Sequence, residues 1–384
     1  MKKYILLFFT LYSLSVLALT GCNSNEEVDT TQTSSEATTE ATTAPINVDL
    51  IMVGDILAHE GVYNSGKQAD GSYNFDHLFT HIKNDASSAD IALVNQEVIL
   101  GGTQMGLSAY PMFNSPTEIG DALVNAGFNV ILHASNHALD KGAKGIENTL
   151  DFWKTKHPDT AVLGINSSQE DYNNIYIFEK DGFKIAILNY TYGTNGMPIP
   201  SSKPYIINVL DENKVASDIS RAEGLADFTI VCPHWGTEYT LKPTTYQINW
   251  AKLMIENGAD LIIGTHPHVV EPMEFVTSDN GNSALVYYSL GNFVSNQDTA
   301  ETMLGAMARV RLTKEGDKAF ISSYTAEPLV THQLYGRGLI TTYKLKDYTQ
   351  ELASQNKVSI FGVRLTMEKL DSIWREVFPN LYFE

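Results

Sequence analysis

The run "GADLIIGTHPHVVEP", residues 258–272, decides how the rest of the chain is read. Its apolar core, Leu261-Ile262-Ile263, is short and bounded by glycines at 258 and 264, as a buried strand is. Directly downstream stand His266 and His268 around Pro267. A strand that delivers imidazoles at its carboxyl end is a unit of α/β architecture, and the same unit recurs along the chain. "NVDLIMVGD" ends at Asp55, "ADIALVNQE" at Asn95 and Glu97, "NVILHASNH" at Asn136 and His137, and "DFTIVCPHWG" at His234.

Between these runs lie helical patterns. "FDHLFTHIKND" places Phe75, Leu78, Phe79 and Ile82 at helical spacing, and "SPTEIGDALVNAGF" opens on a Ser115-Pro116 start signal. "GIENTLDFWKTKH", "DENKVASDISRAEG" and "TTYQINWAKLMIENG" are helical as well. "YIFEKDGFKIAILNYTY" is a hairpin turning at Asp181-Gly182, which rules out a purely parallel sheet. "ALVYYSLGNF" is a strand ending in a turn. After residue 300 the chain alternates as β strands do, and "LTMEKLDSIWREVF" is a final helix. That tail is expected to complete a second sheet or form a small lobe. The fold class is layered α/β, with short buried strands.

In such sheets, sites form in the crevice beyond the carboxyl ends of the strands. The groups there are carboxylates, amides and imidazoles, a donor set that suits divalent first-row metals. Four of the ten histidines fall in these slots. His266 and His268 are two residues apart, so in an extended segment both rings face one side. Pro267 biases His266 towards that extended geometry.

The ends of the chain speak to location. "MKKYILLFFTLYSLSVLALTGC" has two lysines, an apolar run and Leu19-Thr20-Gly21 before Cys22, the pattern of a secretory signal. Residues 23–45, rich in Thr, Ser and Glu, hold almost nothing to bury and are expected to form a disordered stalk. No other segment is long and apolar enough to cross a bilayer. The formal charge is −19, and becomes −21 once Lys2 and Lys3 leave with residues 1–21. So acidic a protein is not a nucleic-acid binder, because that binding rests on neutralising phosphates. Besides Cys22 there is only Cys232, in a buried strand run, so an internal disulfide is excluded and a packing role is expected.

Gly54-Asp55, Asn95-x-Glu97, "SNHALDKG", "HWGTEY", "GTHPH" and "YSLGNF" together resemble the CapA family of poly-γ-glutamate capsule-synthesis proteins, over roughly residues 47–300. That family is similar to the calcineurin-like metallophosphoesterases, so the resemblance implies a β-sandwich flanked by helices and one or two divalent ions (Mn, Zn or Fe). It assigns Asp55 and His268 to a first metal, Asn136, His234 and His266 to a second, and Glu97 to the bridging position. His137 becomes the general acid, with Asp140 beside it. Asn95, Tyr192, Glu238 and Asn292 are the candidates for substrate contact. Two departures stand out. Leu57 occupies the place where phosphoesterases carry the histidine of Asp-x-His, and the bridging position holds Glu97 rather than aspartate or asparagine. His59 reaches the vacant place only if its loop folds back.

Leu19-Thr20-Gly21-Cys22 resembles a bacterial lipobox, implying a lipid on Cys22 and a place on the outer face of the cell membrane. The expected organisation is a signal peptide at 1–21, a linker at 22–45, a CapA-like domain at 46–300 and a β-rich extension of it at 301–384. Two functional readings stand: hydrolysis at a metal site, of a phosphoester or another acyl or phosphoryl linkage at the cell surface, and a polymer-holding partner of a membrane synthase complex; a degenerate, metal-free phosphoesterase, for which Leu57 speaks, is the further alternative. In the second, the metal offsets repulsion between the acidic protein and an anionic polymer such as poly-γ-glutamate.

Overall fold

The computed structural model describes residues 44–334, 338–360 and 365–381. The signal peptide, Cys22 and all but the end of the stalk lie outside the described residues. Four strands come first: β1 (Ile46–Ile56), β2 (Ile91–Asn95), β3 (Val130–Leu132) and β4 (Ala161–Leu163). Six follow: β5 (Tyr176–Lys180), β6 (Phe183–Thr191), β7 (Phe228–His234), β8 (Leu261–Ile263), β9 (Val270–Thr277) and β10 (Ser283–Leu290). The last four are β11 (Asn292–Val294), β12 (Leu304–Glu315), β13 (Lys318–Leu334) and β14 (Leu339–Lys344).

The chain builds one sheet, leaves it for the other, and returns. One sheet runs β14-β13-β12-β1-β2-β3-β4, with β11 also paired to β1; the other runs β5-β6-β7-β8-β10-β9. Strands β1 to β4 are mutually parallel, as are β6, β7, β8 and β10 in their sheet order. The turn at Asp181-Gly182 makes β5 and β6 antiparallel; both residues have positive φ, 53° and 84°, as a tight hairpin turn of this type needs. The tail neither forms a lobe nor completes the other sheet. β12 lies antiparallel to β1 from Ile46↔Lys314 to Val53↔Met307, so the tail finishes the sheet that β1 began.

Side chains alternate along each strand, and the three layers follow from that period of two. Leu50 and Met52 of β1, Ile91 and Leu93 of β2, and Val130 and Leu132 of β3 face inward. They meet Ile185, Ile187, Ile230, Cys232, Leu261, Ile263 and Leu285 from the other sheet. Cys232 is buried there with its sulfur 3.9 Å from that of Met52, the packing role expected of it; burial pushes its thiol far up. The intervening residues Ile51, Val53, Ala92, Val94 and Ile131 face helices carrying Ile119, Leu123, Phe152 and Trp153. Ala186, Leu188, Val231, Ile262 and Val286 do the same on the far side, against Val215, Ile219, Trp250 and Met254. The fold is a helix-flanked β-sandwich.

Helix starts are chemically marked. Asp211 accepts from the Lys214 amide, and Thr244 with Gln247 forms a capping box. Two expected helices differ. Ser115 does not cap a helix: its backbone is tied to Ile99 and Gly102, and the helix begins at Glu118. "FDHLFTHIKND" breaks into a 3-10 turn, Asp76–Leu78, and a short helix, Lys83–Ser88. The Thr341 hydroxyl donates to the His77 carbonyl at this break. The four apolar residues are buried as expected. Among the described residues no helix is long and apolar enough to cross a membrane.

Candidate functional site

The downstream ends of strands from both sheets converge on one buried cluster. Asp55 ends β1, Glu97 follows β2, Asn136 and His137 follow β3, His234 ends β7, and His266 and His268 follow β8. Each of these side chains is almost entirely buried. The approach of β1 to the β10–β11 turn depends on glycine. A Cβ on Gly54 would lie 1.8 Å from the Gly291 carbonyl oxygen, so no side chain fits there. That closeness lets the Asp55 amide donate to the same oxygen, at 3.0 Å.

Glu97 sits at the centre. One carboxylate oxygen is 3.7 Å from His234 Nε2 and the other 3.8 Å from His268 Nδ1. Neither oxygen has a hydrogen-bond partner among the described residues. Asp55 is held instead: Asn95 Nδ2 donates to Oδ1 at 2.7 Å and the His266 amide to Oδ2 at 3.2 Å. His268 Nδ1 is 3.5 Å from Asp55 Oδ2. On the other side, His234 Nε2 is 2.9 Å from Asn136 Oδ1, and the His266 ring centroid is 4.9 Å from that of His234. His266 Nδ1 is likewise without a hydrogen bond.

The charges follow from this packing. Burial, with the Asp55 carboxylate beside it, raises Glu97 well above the ordinary carboxylate range, although His268 opposes this. Burial also lowers His234, and lowers His266 to about 3, neighbouring histidines adding to the effect. His268 goes the other way: burial works against its charge, but Glu97 and Asp55 outweigh it and lift it to about 9. Glu97 and His268 are thus both shifted towards their protonated forms.

The donor set suits a divalent cation. Glu97, His266 and His268 each offer one ligating atom, and these lie within 4.8 Å of one another. Asn136 Oδ1 and His234 Nε2 add two further lone-pair donors, next to His266 and Glu97. A buried carboxylate with both oxygens unpaired is costly unless something positive meets it.

The loop after β3 supplies a separate pair. His137 Nδ1 donates to Asp140 Oδ2 at 2.7 Å, and the Phe113 amide donates to the same oxygen. The Phe113 ring packs edge-on to His137 at 4.7 Å. Nothing local in "YPMFNS" points to this role, because the contact is made by a loop more than twenty residues upstream.

Several sequence expectations need revision. His266 and His268 are not on extended backbone; their φ values are 104° and 59°, rare for non-glycine residues. Their rings converge on Glu97 through this left-handed loop rather than by strand alternation. Asn95 and Asn292 are fully buried beneath the cluster and not open to substrate: Asn95 holds Asp55, and Asn292 holds the His268 backbone and lies 3.2 Å from its ring. Tyr192 and Glu238 stand at the rim, Tyr192 with its ring 4.7 Å from His266 and Glu238 exposed. Leu57 is buried in the helix-side core. His59 does not fold back into the cluster; its Nδ1 is turned to the Leu57 carbonyl and its ring rests on Phe113.

Residues 49–297 match the family described as bacterial capsule synthesis protein PGA_cap. The chain belongs to that family. It is 30% identical over 275 residues to the capsule biosynthesis protein CapA of Bacillus anthracis, covering 70% of this chain and 64% of that one. It is 34% identical over 200 residues to the PGA biosynthesis protein CapA of Bacillus subtilis (strain 168), covering 52% and 50%. The chain therefore spans about half to two thirds of these relatives' lengths. Among solved structures it is similar to the NAD nucleotidase NadN of Haemophilus influenzae, with a TM-score of 0.49 at 12% identity, covering 87% of this chain and 67% of that one. It is also similar to the calcineurin-like phosphoesterase YfkN of Bacillus subtilis, with a TM-score of 0.40 at 10% identity, covering 88% and 98%. Likeness at this level transfers no residue roles.

Proposed function

We propose that this PGA_cap family member works at the cell surface in making or exporting an anionic capsule polymer of the poly-γ-glutamate type, through a metal-dependent hydrolase-like site. The observation that carries the reading is Glu97: fully buried, both oxygens unpartnered, flanked by imidazoles. Asp55 and His268 would hold one ion, Asn136, His234 and His266 a second, with Glu97 between them. When bound, such an ion supplies Lewis acidity and lowers the pKa of an attacking water.

The rest is the work of the chain's own groups. Asp140 accepts the Nδ1 proton of His137 and so leaves Nε2 as the nitrogen free to carry a proton to a departing oxygen. The Phe113 amide keeps Asp140 in place, and the Phe113 ring limits rotation of the imidazole. Asn95 orients Asp55 and Asn292 braces His268, so neither needs to reorganise when an anionic substrate arrives. Cys22 carries the lipid that holds the protein outside the membrane in this reading.

The test is metal analysis of the purified protein, calorimetry with Mn²⁺, Zn²⁺ and Fe²⁺, and assay on a generic phosphodiester and on poly-γ-glutamate. Binding of at least one ion with turnover of either substrate supports the reading. Absence of binding to all three ions overturns the site. Binding of ions without turnover favours the polymer-holding role, for which Leu57 in place of a ligating histidine speaks.

A further inference from the structure

The loop after β6 touches two buried residues that meet across the sandwich, Asn136 from one sheet and His234 from the other. The Tyr192 amide donates to the His234 carbonyl at 2.9 Å. Just beyond, the chain closes a tight turn. The Met197 amide donates to the Thr194 carbonyl at 2.8 Å, and the Thr194 hydroxyl donates to the Met197 carbonyl at 2.6 Å. The central residues, Asn195 and Gly196, both have positive φ, 50° and 76°, as this kind of turn requires. Met197 packs on the apolar cluster that includes Ala138 and Leu139, so the turn rests on the loop that carries Asn136.

Asn195 is exposed, yet its side chain reaches back to that loop. Its Oδ1 accepts from Asn136 Nδ2 at 3.3 Å and from the Tyr192 hydroxyl at 3.3 Å. Asn136 Oδ1 is then the end that faces His234, 2.9 Å from Nε2. The two ends of an amide are alike in shape and opposite in chemistry, one accepting and the other donating. Only the oxygen can meet a metal ion. The contact with His234 does not choose between the ends, because a neutral imidazole nitrogen donates or accepts according to its tautomer. The Asn195 oxygen does choose. It accepts only, so it draws the Asn136 amino group to itself and leaves the Asn136 oxygen towards His234.

We propose that Asn195 is a positioning residue: it fixes the Asn136 amide so that Oδ1, and not Nδ2, is offered to a cation beside His234, while the Tyr192 amide ties the same loop to His234 itself. This rests on the reading of Asn136, His234 and His266 as ligands of one ion. A residue needed only for the turn would be replaceable by glycine, which takes positive φ freely.

The experiment separates those roles by substitution. Asn195→Gly keeps the backbone conformation and loses the acceptor, whereas Asn195→Asp keeps an acceptor on a residue type that tolerates this backbone. The full chain in detergent is first freed of metal and labelled with isotopic asparagine, and hydrogen exchange of the Asn136 side-chain amide is followed by NMR, its signal being the one lost in Asn136→Asp. The same proteins are then titrated with Mn²⁺ by calorimetry. The amide should exchange about threefold or more faster in Asn195→Gly than in the parent, as for loss of one hydrogen bond. Parent and Asn195→Asp should bind Mn²⁺ within about threefold of each other, and Asn195→Gly should bind at least one ion about tenfold or more weakly, as when a group that orients a ligand is lost. Mn²⁺ binding by Asn195→Gly equal to the parent's, or weakened to the same degree in Asn195→Asp, overturns the proposal, and so does unchanged amide exchange in Asn195→Gly. A parent that binds no Mn²⁺ but shows the Asn195-dependent exchange overturns the metal reading and leaves the positioning of Asn136 standing.

Discussion

Glu97→Gln should change stability in opposite directions with and without metal. In the metal-free protein, Asp55 and Glu97 lie 3.5 and 3.8 Å from His268 Nδ1, whose imidazole is lifted to about 9. Asp55 has two hydrogen bonds, but both Glu97 oxygens have none and are completely buried. An unsatisfied buried polar group costs about 1–3 kcal/mol. Burial holds Glu97 well above the ordinary carboxylate range, so folding at neutral pH requires it to take up a proton, at a cost of about 1 kcal/mol or more. Glutamine keeps the shape and needs no proton, so the metal-free variant should be more stable than the parent by about that amount. Each kcal/mol corresponds to about 1–2 °C in a chain of this size. With free metal at about 100 times its Kd, the parent gains about 2.7 kcal/mol, while a variant without the central carboxylate gains little. The order of the two melting temperatures should then invert between chelator and Mn²⁺. The assay is thermal unfolding by circular dichroism in EDTA and across a metal titration. Equal metal-induced shifts in both proteins, or a metal-free variant clearly less stable than the parent, would refute the placement of Glu97 between ions.

His266→Ala should abolish tight metal binding, whereas His268→Ala should retain one ion; equal stoichiometry by elemental analysis in parent and both variants would sink the two-site reading. Cys22→Ser should release the protein from the membrane fraction or leave it unprocessed, and normal maturation with detergent partitioning would defeat the lipid anchor. Asp260, whose carboxyl burial and nearby Glu223 raise to about 7 against the Thr229 amide bond, holds its proton more tightly folded than unfolded. Its contribution is therefore best below about pH 4 and is lost as pH rises towards 7. Asp260→Asn should flatten that part of the stability profile in urea titrations at a series of pH values, and an unchanged profile would show that Asp260 is not the group responsible.

The periodicities that placed the buried strands and most helices were legible because each reflects local chemistry: β1, β2, β6, β7 and β10 are apolar runs bounded by turn residues, and Asp181-Gly182 can hardly do anything but turn. The convergence of Asp55, Glu97, Asn136, His137, His234, His266 and His268 was legible because all sit at one topological end of their strands. What could not be read came from distant partners. Thr341 bonds the His77 carbonyl, more than 260 residues upstream, where the expected helix gives way to a 3-10 turn. Phe113 steadies the His137–Asp140 pair from another loop. The left-handed backbone at His266 and His268 runs against what Pro267 suggests locally, and is stabilised by the His266 amide meeting Asp55. Such strain is tolerated where surrounding structure over-determines it, as functional loops do.

The site also explains why the sandwich must close. Asp55, Glu97 and Asn136 belong to one sheet; His234, His266 and His268 belong to the other. Neither sheet alone assembles the cluster. The inward layer of Met52, Leu93, Leu132, Ile230, Cys232 and Ile263 fixes the separation at which those two halves meet. A close-packed interior does not stretch continuously. Enlarging or thinning that layer would therefore disturb Glu97's distances of 3.7 and 3.8 Å to His234 and His268 before it disturbed the outer helices. The tail strand β12 covers β1 along eight residue pairs, from Ile46↔Lys314 to Val53↔Met307, and so supports the strand that leads to Asp55. The C-terminal strands thus bear on the cluster without contributing a side chain to it.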